Sequence, residues 1–269
     1  MESSLNRYFI RFSFVGTAYH GWQLQPDAIT VQAVMEEALG RILRVPCRLT
    51  GCGRTDAGVH AAVFYAHFDH EASFGRDECA HLVHKLNALL PEDIAVQFIT
   101  TVDSAAHARF SAVSRTYRYQ VLTAKDPFLH AFAWHYRYGR LDLSILNRGA
   151  AVLTEYTDFA CFSKRDTDIV GTDCKLIRSD WKEEGMLLVY TVTANRFLRN
   201  MVRAIVGTLL QMGRGRWDEE KLRAILESRD RCMAGESVPA CGLTLSEVIY
   251  PEGLSGFAED QEPVGTDQA

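Results

Sequence analysis

Residues 51–60 read GCGRTDAGVH, a glycine-rich loop around one carboxylate, Asp56. Apolar residues then alternate at positions 62, 64, 66 and 68, which predicts a half-buried strand over 61–68. Glycines permit positive φ and close approach of another segment, and a loop that ends at a strand can present a reactive side chain on a rigid scaffold. Arg54 adds a positive charge that favours an ionised, nucleophilic carboxylate. An ordinary Asp-x-Gly turn is the alternative.

The hydrophobic periodicity of the whole chain predicts two halves of class α+β. The first half combines a strand over 8–14, a helix that Thr30 caps, the strand 61–68, a helix over about 78–90 and a strand over 94–101. The second half combines a strand over 115–122, a helix that Asp142 caps, a hairpin of strands 174–182 and 186–193, helices over about 197–212 and 218–228, and a strand over 243–249. Two such units side by side favour a mixed or antiparallel sheet with helices on one face and a site in the cleft between the halves.

The composition predicts a globular protein of two halves with a short tail. We place the N-terminal half at 1–104 and the C-terminal half at 105–251, and the polar, acidic residues 252–269 predict a disordered tail. Hydrophobic residues make up 47% of the 269 positions, and no run approaches the roughly 20 apolar residues of a membrane span. Without a recognisable signal peptide, and with seven cysteines that lack metal-ligand spacing, we expect a cytoplasmic protein with free thiols, no metal and no membrane partner.

Positive charge is concentrated in three parts of a chain whose net charge is −5. Residues 251–269 carry five carboxylates and no base, so the remainder is formally neutral. The windows 41–54, 104–125 and 195–216 contain arginine or lysine and no acid. Local positive fields of this kind suit a ligand rich in phosphates, although solvated surface faces are the alternative.

Two arginine-bearing segments indicate nucleic-acid contacts. In the predicted helix over 197–212, Arg196, Arg199 and Arg203 are spaced i, i+3, i+7 and form a stripe opposite the apolar face. The stripe is either an exposed polar face or a set of contacts to a carboxylate and to phosphates. Residues 115–119 read RTYRY, which interleaves arginines with tyrosines on a strand. Such rings either stack on bases beside bound phosphates or are core aromatics.

A series of ordered motifs carries a family resemblance that covers residues 8–251. The motifs are GTAYHGWQ at 16–23, GRTDAGVH at 53–60, LLPEDI at 89–94, ARFSA at 108–112, RTYRY at 115–119, FLRNMVR at 197–203 and GLTL at 242–245. Together they resemble the TruA family of tRNA pseudouridine synthases, which isomerise uridines 38–40 in the anticodon arm. Val15 departs from the aspartate that the family often has there. The resemblance implies the pseudouridine synthase fold, in which two similar α+β halves form one continuous mixed or antiparallel sheet with helices packed on it and a central cleft.

The resemblance also implies roles for individual residues. Asp56 matches the catalytic nucleophile, which attacks either C6 of the uracil or C1′ of the ribose. Tyr117 matches the tyrosine that stacks on the target base and is implicated in proton transfer at C5. Arg203 matches the arginine that pairs with the aspartate, and Arg54 matches a basic residue that helps to hold the flipped-out nucleotide.

Further expectations concern partners. Arg199 and Arg115 are predicted substrate contacts. The isomerisation needs no metal or cofactor, and the resemblance implies a homodimer in which one tRNA touches both subunits.

Two other functions compete with this hypothesis. A catalytically silent RNA-binding or chaperone protein of the same fold would keep the arginine windows, but Asp56, Tyr117 and Arg203 are all present. A nucleotide-binding enzyme would use the glycines as a phosphate cradle, but their spacing at 51, 53 and 58 fits neither the dinucleotide-binding nor the P-loop pattern.

Overall fold

One continuous sheet runs through the part of the chain that the structure, a computed structural model, describes, residues 5–164 and 171–254. Its strands are β1 (Asn6–Phe14), β2 (Thr50–Gly51), β3 (His60–His70), β4 (Ile94–Val102), β5 (Ser114–Leu122), β6 (Trp134–His135), β7 (Leu176–Glu184), β8 (Leu187–Ala194) and β9 (Leu243–Ile249). The helices are α1 (Val31–Leu43), α2 (Arg76–Leu89), α3 (Leu143–Leu153), α4 (Met201–Gly213) and α5 (Glu219–Ser228).

The strand order is β4-β1-β3-β9-β5-β8-β7, with β2 beside β3 and β6 beside β5. Most neighbours are antiparallel, whereas β3 pairs with β9 in parallel and so joins the strands of the two halves. This arrangement confirms the predicted α+β fold with a continuous mixed sheet. The division of the chain at residue 104 stays a prediction, and most of the predicted tail, residues 255–269, lies outside the described residues.

Register across the central strands shows which face of the sheet carries the core. Phe14 lies opposite Ala61, Ala61 opposite Leu245, and Leu245 opposite Tyr117. Residues that lie directly opposite one another point to the same side of a sheet. Apolar residues of α1 and α2 pack over one end of this face, and those of α3, α4 and α5 pack over the other. Tyr117 contacts both clusters and therefore lies where they meet.

Local sequence signals account for most of the element boundaries. The Thr30 hydroxyl accepts a hydrogen bond from the Ala33 amide at the start of α1, and Asp142 caps α3 through the Ser144 and Ile145 amides. The predicted hairpin is present, and its turn contains Gly185 at φ 61°. The predictions of both caps and of the hairpin are confirmed.

The predicted start of α4 and its arginine stripe are wrong. The helix begins at Met201 because Asn200 has a left-handed backbone, φ 65°, which interrupts the helical hydrogen-bond pattern. Arg196 and Arg199 therefore lie in the preceding loop, and only Arg203 belongs to the helix. The helix is also buried on nearly all sides, so it has no broad polar face for a stripe.

Candidate active site

The Asp56 loop, residues 52–59, connects β2 to β3 and is supported from behind by an N-terminal segment. The Trp22 amide donates to the Thr55 carbonyl at 3.3 Å, and the Gly58 amide donates to the Tyr19 carbonyl at 3.2 Å. These two backbone hydrogen bonds hold the loop on both sides of its carboxylate. The loop conformation is therefore fixed by a segment more than 30 residues earlier in the chain.

Two glycines of the motif at 16–23 allow this close backbone contact. A Cβ on Gly21 would lie 2.2 Å from the Thr55 carbonyl oxygen, and Gly21 also has a positive φ of 85°. A Cβ on Gly16 would lie 1.9 Å from the Val59 carbonyl oxygen. Any side chain at either position would push the two segments apart, which explains why glycines are needed here.

Asp56 forms an ion pair with Arg203. The Arg203 Nη1 lies 3.1 Å from Asp56 Oδ2, and the side chains are 21% and 27% exposed, respectively. Arg203 Nε donates to the Val238 carbonyl at 2.8 Å, and the Val238 amide donates back to the Arg203 carbonyl. The guanidinium is therefore held in place before any ligand binds, and it leaves the carboxylate accessible from one side.

The start of α4 is anchored so that Arg203 faces the Asp56 loop. The Asn200 side chain donates to the Ser237 hydroxyl at 2.6 Å. Further along α4, a Cβ on Gly207 would lie 1.8 Å from the Glu236 carbonyl oxygen, so the chain around 236 packs directly against the helix backbone. Arg203 lies in the first turn, where the positive end of the helix dipole also favours a nearby carboxylate.

Tyr117 supplies an aromatic ring in the same site. It is half-buried on β5, and the Phe197 ring meets it edge-on at 5.1 Å and 90°. Burial is the main cause that raises the pKa of Tyr117 well above its ordinary value; Cys52 raises it further, Arg115 opposes the shift, and Asp56 adds to it. The phenol therefore stays protonated at neutral pH.

Tyr119 has a different position from Tyr117. It is fully buried, and its hydroxyl donates to the Pro239 carbonyl at 2.9 Å. A hydroxyl that is satisfied inside the core is typical of a structural tyrosine. Tyr119 therefore supports the strand and the chain near Arg203, whereas Tyr117 is the ring that borders the carboxylate.

The predicted substrate-binding arginines occupy different environments. Arg54 and Arg199 are exposed. Arg54 adjoins Arg109, whose pKa is lowered first by burial and then by the positive charges of Arg54, Arg115 and Arg196. These four side chains form a basic cluster beside the Asp56 loop. Arg115 itself donates to backbone carbonyl groups, which sequence reasoning did not anticipate.

His60 is a second residue whose contacts were missed, although it ends the Asp56 motif. Its Nδ1 accepts a hydrogen bond from the Gly16 amide at 3.0 Å, which leaves Nε2 protonated and facing the Cys241 carbonyl at 3.1 Å. The ring thus ties the N-terminal segment and the chain before β9 to the end of the loop. Burial is the main cause that lowers the pKa of His60, so it is neutral and keeps this tautomer at neutral pH.

The described part of the chain has neither a cluster of metal-ligating side chains nor a helix that could span a membrane. Within residues 5–164 and 171–254, no group of three or more histidine, cysteine, aspartate or glutamate side chains is arranged to hold a metal ion. Every helix in the described part of the chain is too short or too polar to cross a bilayer.

Comparisons with known proteins agree on one family. The model of a family described as tRNA pseudouridine synthase matches residues 156–251. A protein of Parabacteroides distasonis named tRNA pseudouridine synthase A is 50% identical over 250 residues, covering 93% of this chain and 98% of the relative. Proteins with the same name from Bacteroides thetaiotaomicron (46% identity, 95% of this chain and 94% of the relative) and Chlorobaculum tepidum (38%, 93% and 100%) are also similar over nearly their whole length. The chain belongs to the tRNA pseudouridine synthase A (TruA) family.

Proposed function

We propose that this chain converts uridine to pseudouridine at positions 38, 39 and 40 in the anticodon stem-loop of tRNA, with Asp56 as the nucleophile. The observation that carries the proposal is the Asp56–Arg203 ion pair, 3.1 Å long, beside the Tyr117 ring. These three residues come from three distant parts of the sequence. A protein that only bound RNA would have no need for a carboxylate held in this way.

The ion pair supports a nucleophilic role for the carboxylate. Arg203 engages Oδ2, and within the described residues no hydrogen bond is donated to Oδ1. Oδ1 is therefore the oxygen that attacks, at C6 of the uracil or at C1′ of the ribose. In the first route the carboxylate adds to C6, the N1–C1′ bond breaks, and the carboxylate is eliminated from C6 after the base has rejoined the ribose. In the second route attack at C1′ expels the uracil through N1, and C5 later displaces the carboxylate from C1′. In both routes the uracil turns, C5 bonds to C1′ and loses its proton, N1 gains a proton, and free Asp56 is regenerated.

Tyr117 supports the reaction through both its ring and its hydroxyl. The ring provides the stacking surface for a base that has left its helix. Because the phenol is protonated at neutral pH, it serves the C5 proton transfer as a relay that gives up its own proton as it accepts another. This role differs from that of a phenolate base.

The basic cluster supports binding of a polyanion. Arg54 is exposed on the Asp56 loop, and the positive charges of Arg54 and Arg196 both act on Arg109. A Cβ on Gly53 would meet no atom within 4 Å, so the space beside Arg54 is open. We propose that Arg54 holds the flipped nucleotide, and that Arg199 contacts neighbouring phosphates.

Two further proposals rest on family resemblance. The chain acts as a homodimer in which one tRNA touches both subunits, and it works in the cytoplasm, where tRNA is modified. No metal or cofactor takes part in this scheme.

Chemical mapping of pseudouridine tests the proposed function. Unmodified total tRNA and ribosomal RNA are incubated with the purified chain, and every new pseudouridine is located. We expect modification confined to positions 38–40 of tRNA. Modification of ribosomal RNA or of another tRNA arm would contradict the proposed substrate, and tRNA binding without any modification would favour the silent RNA-binding protein.

A further inference from the structure

Arg115 makes an unusual set of contacts at the edge of the site. It lies on β5, two residues before Tyr117, and its side chain is half-buried. Its two Nη atoms donate to four backbone carbonyl groups, which are those of Ala112 (3.2 Å) and Asn195 (3.0 Å) for Nη1, and of Cys52 (2.9 Å) and Arg109 for Nη2. The two Nη atoms carry four hydrogens in all, so these contacts use the whole outer edge of the guanidinium.

The four carbonyl groups belong to three separate segments that build the site. Cys52 lies four residues before Asp56 in the catalytic loop. Asn195 directly follows β8 and begins the loop that leads through Phe197 to Arg203. The other two carbonyls, those of Arg109 and Ala112, bound the segment 109–112, which contributes Arg109 to the basic cluster. One side chain thus connects the two segments whose relative position sets the Asp56–Arg203 geometry.

These contacts leave Arg115 poorly placed to bind phosphate. A guanidinium binds phosphate best through two parallel N–H groups, and the Nη hydrogens of Arg115 already point at protein carbonyls. Arg54, by contrast, is exposed. The hydrogen bonds of Arg115 to protein carbonyls therefore compete with the substrate contact that the sequence predicts for it.

We infer that Arg115 is a positioning residue, which holds the Asp56 loop and the segment before α4 at the separation that the reaction requires. The inference rests on the proposed function for its kinetic consequence. Small displacements of reacting groups lower the rate of the chemical step about 100-fold for each ångström. Loss of Arg115 should therefore lower kcat and leave tRNA binding nearly unchanged.

The substitution Arg115→Lys separates positioning from charge. Lysine keeps the positive charge but offers three donors at a single point, so it cannot reach four carbonyls in three segments. Arg118→Lys is the matched control, because Arg118 lies on the same strand and instead pairs with Glu184 at 2.7 Å. Steady-state kinetics on tRNA and binding at several salt concentrations are measured for both variants.

We expect Arg115→Lys to lower kcat by about 100-fold, while KM, tRNA affinity and its salt dependence stay within about threefold of the unmodified chain. Arg118→Lys should match the unmodified chain in all of these. If Arg115→Lys keeps kcat within about threefold, the four carbonyl contacts do not set the rate and the inference is overturned. If Arg115→Gln weakens tRNA binding and reduces its salt slope by about one contact at unchanged kcat, Arg115 is a phosphate contact and the inference is likewise overturned.

Amide hydrogen exchange provides a readout that does not depend on activity. In Arg115→Lys, the protected amides of Cys52, Gly58 and Asn195, which donate to backbone carbonyls, should exchange faster together while those of α2 stay unchanged. Faster exchange across the whole chain, or none at these sites, would contradict the inference. If the chain without substitutions forms no pseudouridine in tRNA, the proposed function fails. The exchange result still decides whether Arg115 holds the two segments.

Discussion

Protonation of His67 should destabilise the fold in mild acid. His67 is a buried residue of β3, and its Nδ1 accepts a hydrogen bond from the Ala108 amide at 3.1 Å. Only an imidazole that is unprotonated at Nδ1 can accept this bond. The bond fixes the segment that carries Arg109, so the perturbation also reaches the edge of the site.

The size of the effect follows from the pKa of His67. Burial is the main cause that lowers it from 6.5 to about 4, the positive charges of Arg7 and His107 add to the shift, and Asp69 partly opposes it. Between about pH 4 and pH 6.5, His67 is therefore protonated more readily in the unfolded chain than in the folded chain. Stability is complete above about pH 6.5 and falls as the pH drops toward about 4, by about 3 kcal/mol for the full shift. This is a large part of the 5–15 kcal/mol that is typical of a domain.

Equilibrium unfolding in urea at about pH 7.5 and about pH 4.5 measures the effect. His67→Gln is the comparison, because the amide oxygen can accept the same hydrogen bond but does not titrate. His60 and His107, whose pKa values are also lowered mainly by burial, titrate in both proteins, so their contributions largely cancel. We expect the unmodified chain to lose about 2.5 kcal/mol more than the variant between these pH values, because pH 4.5 lies within the range of the shift. Equal losses in the two proteins would refute the reasoning.

Two further substitutions test the loop and the ring. Gly21→Ala places a Cβ 2.2 Å from the Thr55 carbonyl oxygen at a position with positive φ, whereas a Cβ on Gly139, which also has positive φ (98°), meets no atom within 4 Å. Urea unfolding should show that Gly139→Ala lowers the free energy of unfolding by about 1–2 kcal/mol and that Gly21→Ala lowers it clearly more. Equal losses would mean that the contact between Gly21 and Thr55 is unimportant. Tyr117→Phe keeps the stacking ring but removes the hydroxyl, so kcat should fall at least about 10-fold with KM within about threefold. Tyr119→Phe should keep kcat and lower the free energy of unfolding by about 1 kcal/mol, and the reverse ranking of kcat would exchange the two roles.

Elements with local signals could be predicted from the sequence. The caps at Thr30 and Asp142 and the turn at Gly185 depend on residues within a few positions of one another. The apolar alternation of β1 likewise marks its buried face. Such signals are local because helix starts and tight turns are set by neighbouring side chains.

The start of α4 could not be read from periodicity. Phe197 has the correct spacing from Met201 for one helix face, yet its ring packs edge-on against Tyr117 instead. Asn200 in the left-handed region separates the two. An apolar residue just before a helix and one inside it give the same pattern, and only tertiary packing distinguishes them.

The contacts that assemble the site span long stretches of sequence. Asp56 and Arg203 are 147 residues apart, and their pairing was expected only from the family resemblance. The bonds of Arg115 and His60 end on backbone carbonyl and amide groups, which every residue possesses. Such partners leave no mark in the amino-acid pattern, so the structure was needed to find them.

The central claim, that Asp56 is the nucleophile, is tested most directly by mapping pseudouridine in tRNA incubated with Asp56→Asn. Asparagine keeps the size of the side chain and removes the negative charge, so the variant should fold and bind tRNA. Asp77→Asn, at an exposed position in the first turn of α2, is the matched control. We predict pseudouridine at positions 38–40 with the control and none with Asp56→Asn at equal tRNA binding. Conversion of these uridines by purified Asp56→Asn would contradict the account.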